Sequence, residues 1–117
     1  MRYEEAEPIS RAAAQKTLAS GEPKRVSEAL IAIALHDPDR RWAQETAVAF
    51  LSDPDPEIRG AAATCLGHLA RRYGRVDVPA IDALRALVTD PNVGGRAEDA
   101  LEDIAQYAAR EPNDQDQ

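Results

Sequence analysis

Three Asp-Pro pairs punctuate this chain: Asp37-Pro38-Asp39, Asp53-Pro54-Asp55 and Asp90-Pro91-Asn92 each separate two stretches of helical periodicity. Proline pushes the residue before it out of the α region, so each pair stops a helix. The Asp or Asn two places on can cap the next helix by accepting from its free amide groups. Pro56, directly after Asp55, suits the first helical position, where a missing N–H does no harm. A chain cut in this way folds as short helices joined by tight turns.

Between the turns, apolar residues recur at three- and four-residue steps, each set forming one face of an amphipathic helix. The stripes are Val26, Leu30, Ile33 and Ala34; Ala43, Ala47, Phe50 and Leu51; Ile58, Ala62, Cys65, Leu66, Leu69 and Ala70; Ile81, Leu84, Leu87 and Val88; and Ala97, Leu101, Ile104, Ala105 and Ala108. A weaker segment from Ile9 to Ala19 ends at Ser20-Gly21 and restarts near Pro23. Six helices are expected, at about 8–20, 24–36, 40–52, 56–73, 79–89 and 93–110. Only 4% of the chain is aromatic, and much of the apolar set is alanine, which favours helix over sheet.

The chain also repeats itself. Asp53-Pro54-Asp55-Pro56-Glu57-Ile58-Arg59-Gly60-Ala61-Ala62-Ala63 aligns without a gap on Asp90-Pro91-Asn92-Val93-Gly94-Gly95-Arg96-Ala97-Glu98-Asp99-Ala100, 37 residues on. Both segments have arginine six places after the aspartate and alanine ten places after it. A unit of this length fits a pair of antiparallel helices that buries its apolar face by stacking on neighbours. The first Asp-Pro, 16 residues before the second, marks the turn inside a pair. The fold class is therefore all-α, a short α-solenoid of about three helix pairs. Residues 1–111 form its single domain, and a disordered acidic tail is expected at 112–117.

The formal charge of −7 and a pI near 4.8 repel phosphate, and only Arg71, Arg72 and Arg75 cluster, which argues against nucleic acid as a partner. One cysteine, Cys65, allows no internal disulfide. The acidic start, Tyr3-Glu4-Glu5, has no apolar leader pattern, and no stretch reaches membrane-span length, so a cytoplasmic location is expected.

The Asp53 run, continued by Cys65-Leu66-Gly67-His68-Leu69-Ala70-Arg71, resembles the HEAT repeat, including the branch once named after phycobilisome lyases. The resemblance covers about Pro23 to Ala109. It implies that Arg59 and Arg96 bond the adjacent turn, and that helices 40–52 and 79–89 line the concave face. The order His36-Asp37-Pro38-Asp39-Arg40-Arg41-Trp42, then the Asp53 unit, then Gly95 to Leu101 is similar to small bacterial stand-alone HEAT proteins. Some of those are immunity proteins of polymorphic-toxin or contact-dependent inhibition systems.

Residues suited to chemistry are sparse. Cys65 lies inside an apolar stripe and is expected as a buried small hydrophobe. His36 suits a helix C-terminus, and His68 lies away from Leu66 beside Arg71 and Arg72. No metal-ligand spacing, phosphate loop or catalytic triad is visible, so no metal, cofactor or catalytic residue is assigned. The candidate sites are partner-binding ones. Trp42, the only tryptophan, either wedges between helix pairs or anchors an interface. Arg41 and Glu45 project from the same helix. Glu98, Asp99, Glu102 and Asp103 crowd one side of the last helix, as a solvated face or as a docking surface for a basic protein, and Asp82 is expected to extend them.

The reading that follows is a non-catalytic scaffold, monomeric when free, that binds and blocks a basic toxin domain such as a nuclease. An adaptor for another protein uses the same surfaces. An enzyme is the third alternative: a lyase needs pigment-handling residues and usually a longer array, and a glycosylase needs a basic concave face with exposed aromatics, whereas this chain is acidic with one tryptophan.

Overall fold

The computed structural model describes residues 7–108. It contains α1 (Arg11–Ala19), α2 (Pro23–His36), α3 (Arg40–Phe50), α4 (Pro56–Tyr73), α5 (Val78–Ala86) and α6 (Gly94–Tyr107), with no strand among the described residues. None of these helices is long and apolar enough to cross a membrane. The expected tail at 112–117 lies outside the described residues.

All three Asp-Pro turns are built alike. The side chain of the first aspartate accepts the backbone N–H two residues on: Asp37 from Asp39 at 2.8 Å, Asp53 from Asp55 at 2.9 Å and Asp90 from Asn92 at 2.8 Å. This Asx turn is what aspartate before proline does well, because its short carboxylate reaches the backbone of the turn it opens. Asp39 then caps α3 through the Trp42 amide (3.0 Å), and Asp55 caps α4 through the Glu57 amide (2.8 Å). The third turn departs from expectation. The cap position of α6 is Val93, without a side-chain bond, and Asp90 takes the Val93 amide (3.1 Å) in place of Asn92 acting as cap. A tight backbone approach sets this start: a Cβ on Gly94 would lie 2.4 Å from the Val88 carbonyl oxygen.

Other ends follow local chemistry. α1 begins at Arg11 and not at residue 8, because Ser10 takes the Ala13 amide (3.1 Å). α4 ends on Gly74, whose φ of +68° is the left-handed geometry glycine adopts without steric cost. α5 stops at Ala86 in tightened turns, with Leu87 bonding Leu84 (2.9 Å) and Val88 bonding Arg85 (3.3 Å).

The helices form three antiparallel pairs in two layers. α2, α4 and α6 pack along their lengths, with α4 in the middle; α1, α3 and α5 back them and barely touch one another. The shortest dimension of the molecule, 23 Å, is about two helix diameters. Leu30, Ile33, Leu66, Leu69, Leu84, Val26 and Cys65 fill the space between the layers. Burying each leucine there stabilises the fold by roughly 2–3 kcal/mol relative to leaving it in water.

Polar ties fasten one pair to the next. Arg59 donates to the carbonyls of Asp53 and Pro54 (both 3.0 Å) and pairs with Asp90 of the following turn at 3.1 Å. Arg96 takes a different partner from the matching position: it lies over Gly60 and donates to the Thr64 hydroxyl at 2.7 and 3.1 Å. Arg72 donates to the Ala34 carbonyl (3.1 Å) and Tyr73 to that of Asp37 (2.9 Å), so α4 also closes the C-terminal end of α2.

Candidate protein-binding surface

The eight candidate residues fall into two groups on different layers. Arg41, Trp42 and Glu45 are on α3 and Asp82 is on α5, in the layer of odd-numbered helices. Glu98, Asp99, Glu102 and Asp103 are on α6, in the other layer. On α5, Ala80 and Leu84 are buried and Asp82 lies round the helix from them; on α6, Ala97 and Ile104 are buried and Asp99 lies opposite. Asp82 and Asp99 therefore leave the stack through opposite faces, and Asp82 does not extend the acidic group. It pairs instead with Arg85 one turn on, at 3.7 Å.

The expected placement of the concave face is also corrected. A solenoid bends toward the layer whose helices approach most closely, and that layer is α2, α4 and α6. The inner face therefore carries the α6 carboxylates, while α3 and α5 lie on the splayed outer side. The inner floor is α4, which shows Glu57, Thr64, His68 and Arg71 between buried neighbours.

Within the acidic group the four side chains differ. Glu98, Asp99 and Glu102 are exposed and form no ion pair among the described residues. Asp103 is half-buried over Gly67 and accepts from Arg71 on α4 at 3.1 Å, so it fastens α6 to α4. Three neighbouring exposed carboxylates leave a negative potential at this edge of the inner face, which attracts cationic groups at a distance set by the salt concentration.

Trp42 is half-buried and packs against the core. The guanidinium of Arg11, from α1, sits 4.2 Å from its ring centroid. The same guanidinium lies 3.2 Å from Asp39 and 3.6 Å from Asp37. The tryptophan thus stands where the first pair meets the second, as a wedge would. Asp39 is held below the usual carboxylate range by the Trp42 amide and then by Arg11. Arg41 and Glu45 beside it are exposed and form no pair with each other.

A second polar cluster has no forerunner in the sequence reading. Gln44, buried on α3, donates to the Asp77 carboxylate (2.9 Å) and accepts the Asp77 amide (2.9 Å) and Arg40 (3.3 Å). Asp77 also meets Arg40 at 3.6 Å and Arg75 at 3.3 Å. The Gln44 bond, and after it the two arginines, lower its pKa. These residues lie 33 positions apart, and no local pattern joins them. At the third turn Asp90 is lowered by the Asn92 amide, then by the Val93 amide and Arg59.

Cys65 is fully buried on α4, and desolvation pushes its thiol up to about 12, so it stays protonated at neutral pH. His36 and His68 are half-buried on separate helices, and no group of three metal-ligating side chains occurs among the described residues.

A family model described as HEAT repeat matches residues 46–73, the end of α3 and all of α4. No curated protein matches the chain. Among solved structures, one chain of the "Crystal structure of CDI complex from Cupriavidus taiwanensis LMG 19424" is similar at 36% identity and a TM-score of 0.80. The match covers 92% of this chain and 97% of that one.

Proposed function

The chain belongs to the HEAT-repeat proteins, and from that premise we propose that it acts by binding another protein, as the immunity partner that neutralises a basic toxin domain of a contact-dependent inhibition system. The observation that carries this reading is the similarity, over nearly the full length of both chains, to a component of a CDI complex. Stacked helix pairs present a broad rigid surface, which suits holding a partner more than enclosing a small substrate. The side chains best placed for chemistry are already engaged in the fold: Cys65 is a buried thiol, Arg59 closes a turn, and Asp77 joins α3 to the loop before α5.

Charge supplies the partner's class. A nuclease cleft is positive because its substrate is phosphate, and this chain has a formal charge of −7 with Glu98, Asp99 and Glu102 exposed side by side on α6. Such complementarity raises the association rate and makes it salt-dependent.

The test is co-expression of the tagged chain with the toxin domain encoded beside it, followed by stopped-flow association at low and high salt. We expect a stable complex and rescue of cells from the toxin. Reversal of Glu98, Asp99 and Glu102 to lysine is expected to slow association at least ~10-fold at low salt, with a smaller effect at high salt. Recovery of no protein partner, or of one whose association ignores both salt and the α6 charges, would refute the reading.

A further inference from the structure

Asp37, Asp39 and the Trp42 ring form a guanidinium receptor that the chain fills with its own Arg11. An aromatic face flanked by two carboxylates is what a guanidinium recognises best, because that planar, weakly hydrated cation stacks and hydrogen-bonds at once. The receptor is built into the fold. Asp37 is only 7% exposed, is fixed by the Asp39 amide at 2.8 Å, and its carbonyl accepts the Tyr73 hydroxyl at 2.9 Å. Asp39 is fixed by capping α3.

The occupant is held far less firmly than the receptor. Arg11 is 44% exposed and rides on the nine-residue α1, in which Ala14 is the one fully buried side chain. α1 packs mainly on α2, and the link between them passes through Gly21, whose φ is +74°. Short helices with little buried surface open locally at a free energy well below that of global unfolding. When α1 lifts, the ring and both carboxylates become available together.

We propose that Arg11 is an internal stand-in for an arginine of the protein partner, and that partner docking exchanges one guanidinium for the other on Trp42, Asp37 and Asp39. This rests on the reading above that the partner is basic. It adds a second contact, on the α1–α3 edge, to the α6 face. A tethered side chain competes at an effective concentration on the order of millimolar or above, so removing it unmasks the site.

The sole tryptophan reports the exchange directly. Arg11→Ala protein, with its fold checked by circular dichroism, is titrated with N-acetyl-arginine amide while Trp42 emission is followed. A saturable shift is expected, with N-acetyl-lysine amide at least ~10-fold weaker and the wild type shifted at least ~10-fold to higher concentration. Adding Asp39→Asn, which keeps the helix cap, should abolish the response. Arg11→Met, which retains the aliphatic stem, serves if the alanine variant unfolds. A folded variant with no saturable response, or a wild type that saturates at the same concentration, overturns the proposal. In binding to the purified partner, Arg11→Ala should be tighter than wild type; equal affinity refutes the exchange. Absence of any basic partner sinks the functional reading but leaves the titration result standing.

Discussion

α4 and α6 follow matching Asp-Pro turns and carry arginine at the same place, yet they have become different objects. In α4 ten of 18 residues are buried; in α6 four of 14 are. α4 has a neighbour on each flank and α3 behind it, so even its glycines are covered, by Arg96 and by Asp103. α6 has α4 on one flank and α5 behind, and among the described residues its other flank faces no helix. The matching arginines diverge accordingly: Arg59 can reach the next turn at Asp90, whereas Arg96, in the last pair, reaches back to Thr64. Place in the stack, more than the repeated residues, decides which side chains hold the fold and which remain free for a partner.

The largest expected effect tests that contrast in the core. Leu66→Ala on α4 should lower stability by about 3 kcal/mol in urea denaturation, since the cavity is enclosed on all sides. Leu101→Ala on half-exposed α6 should cost roughly 1 kcal/mol. Equal losses would break the distinction.

Next come the two glycines that open α6. Gly94→Ala should destabilise by about 2 kcal/mol, because the added methyl meets the fixed Val88 carbonyl. Gly95 has open space around it, and Gly95→Ala should stabilise by about 0.5 kcal/mol through helix propensity. Thermal melts of the two variants moving the same way would count against a backbone-set start for α6.

Acid should loosen the third pair. The folded pKa values of Asp77 and Asp90 lie below their unfolded ones, so their contribution is fully present above the ordinary carboxylate range. It fades as the pH falls from about 4 through the lower folded values. Hydrogen exchange at pH 3 should therefore speed up in α6 before α4, and Asp90→Asn, which keeps the turn's acceptor, should flatten the pH dependence. Uniform acceleration would show that acid acts on the stack as a whole.

The smallest effect sharpens the comparison most. Changing Glu98, Asp99 and Glu102 together to glutamine should shift stability by no more than about 0.5 kcal/mol, as expected for exposed side chains. A larger loss would make these carboxylates part of the scaffold, as Asp103 already is.

The helices were legible because their signals are local: proline at a turn, a capping aspartate, leucines at helical steps. Boundaries slipped where neighbouring residues offered a competing local bond, as at Ser10, which takes the Ala13 amide and starts α1 three residues later than expected, and at Leu87 and Val88, whose tightened turns end α5 early. Of the candidate surface, the acidic residues could be found because they crowd one helix. Their separation from Trp42 and Asp82 could not, since it depends on which layer bends inward. Arg11 on Trp42 and Gln44 on Asp77 were invisible for a related reason. Each joins residues about thirty positions apart, and an arginine or glutamine on a helix surface looks the same before and after it finds such a partner.

The three like-built Asp-Pro turns make the stretch from Asp53 to Thr89 a cassette. It opens with the same aspartate-to-amide bond that opens the segment after it, and Arg59 already reaches the aspartate with which the next segment begins. A second copy spliced in at Asp90 would present the same joint at both ends. Lengthening or shortening such an array requires no new junction, which gives a lineage of these chains, or a protein engineer, a way to change the span of the binding face in whole steps.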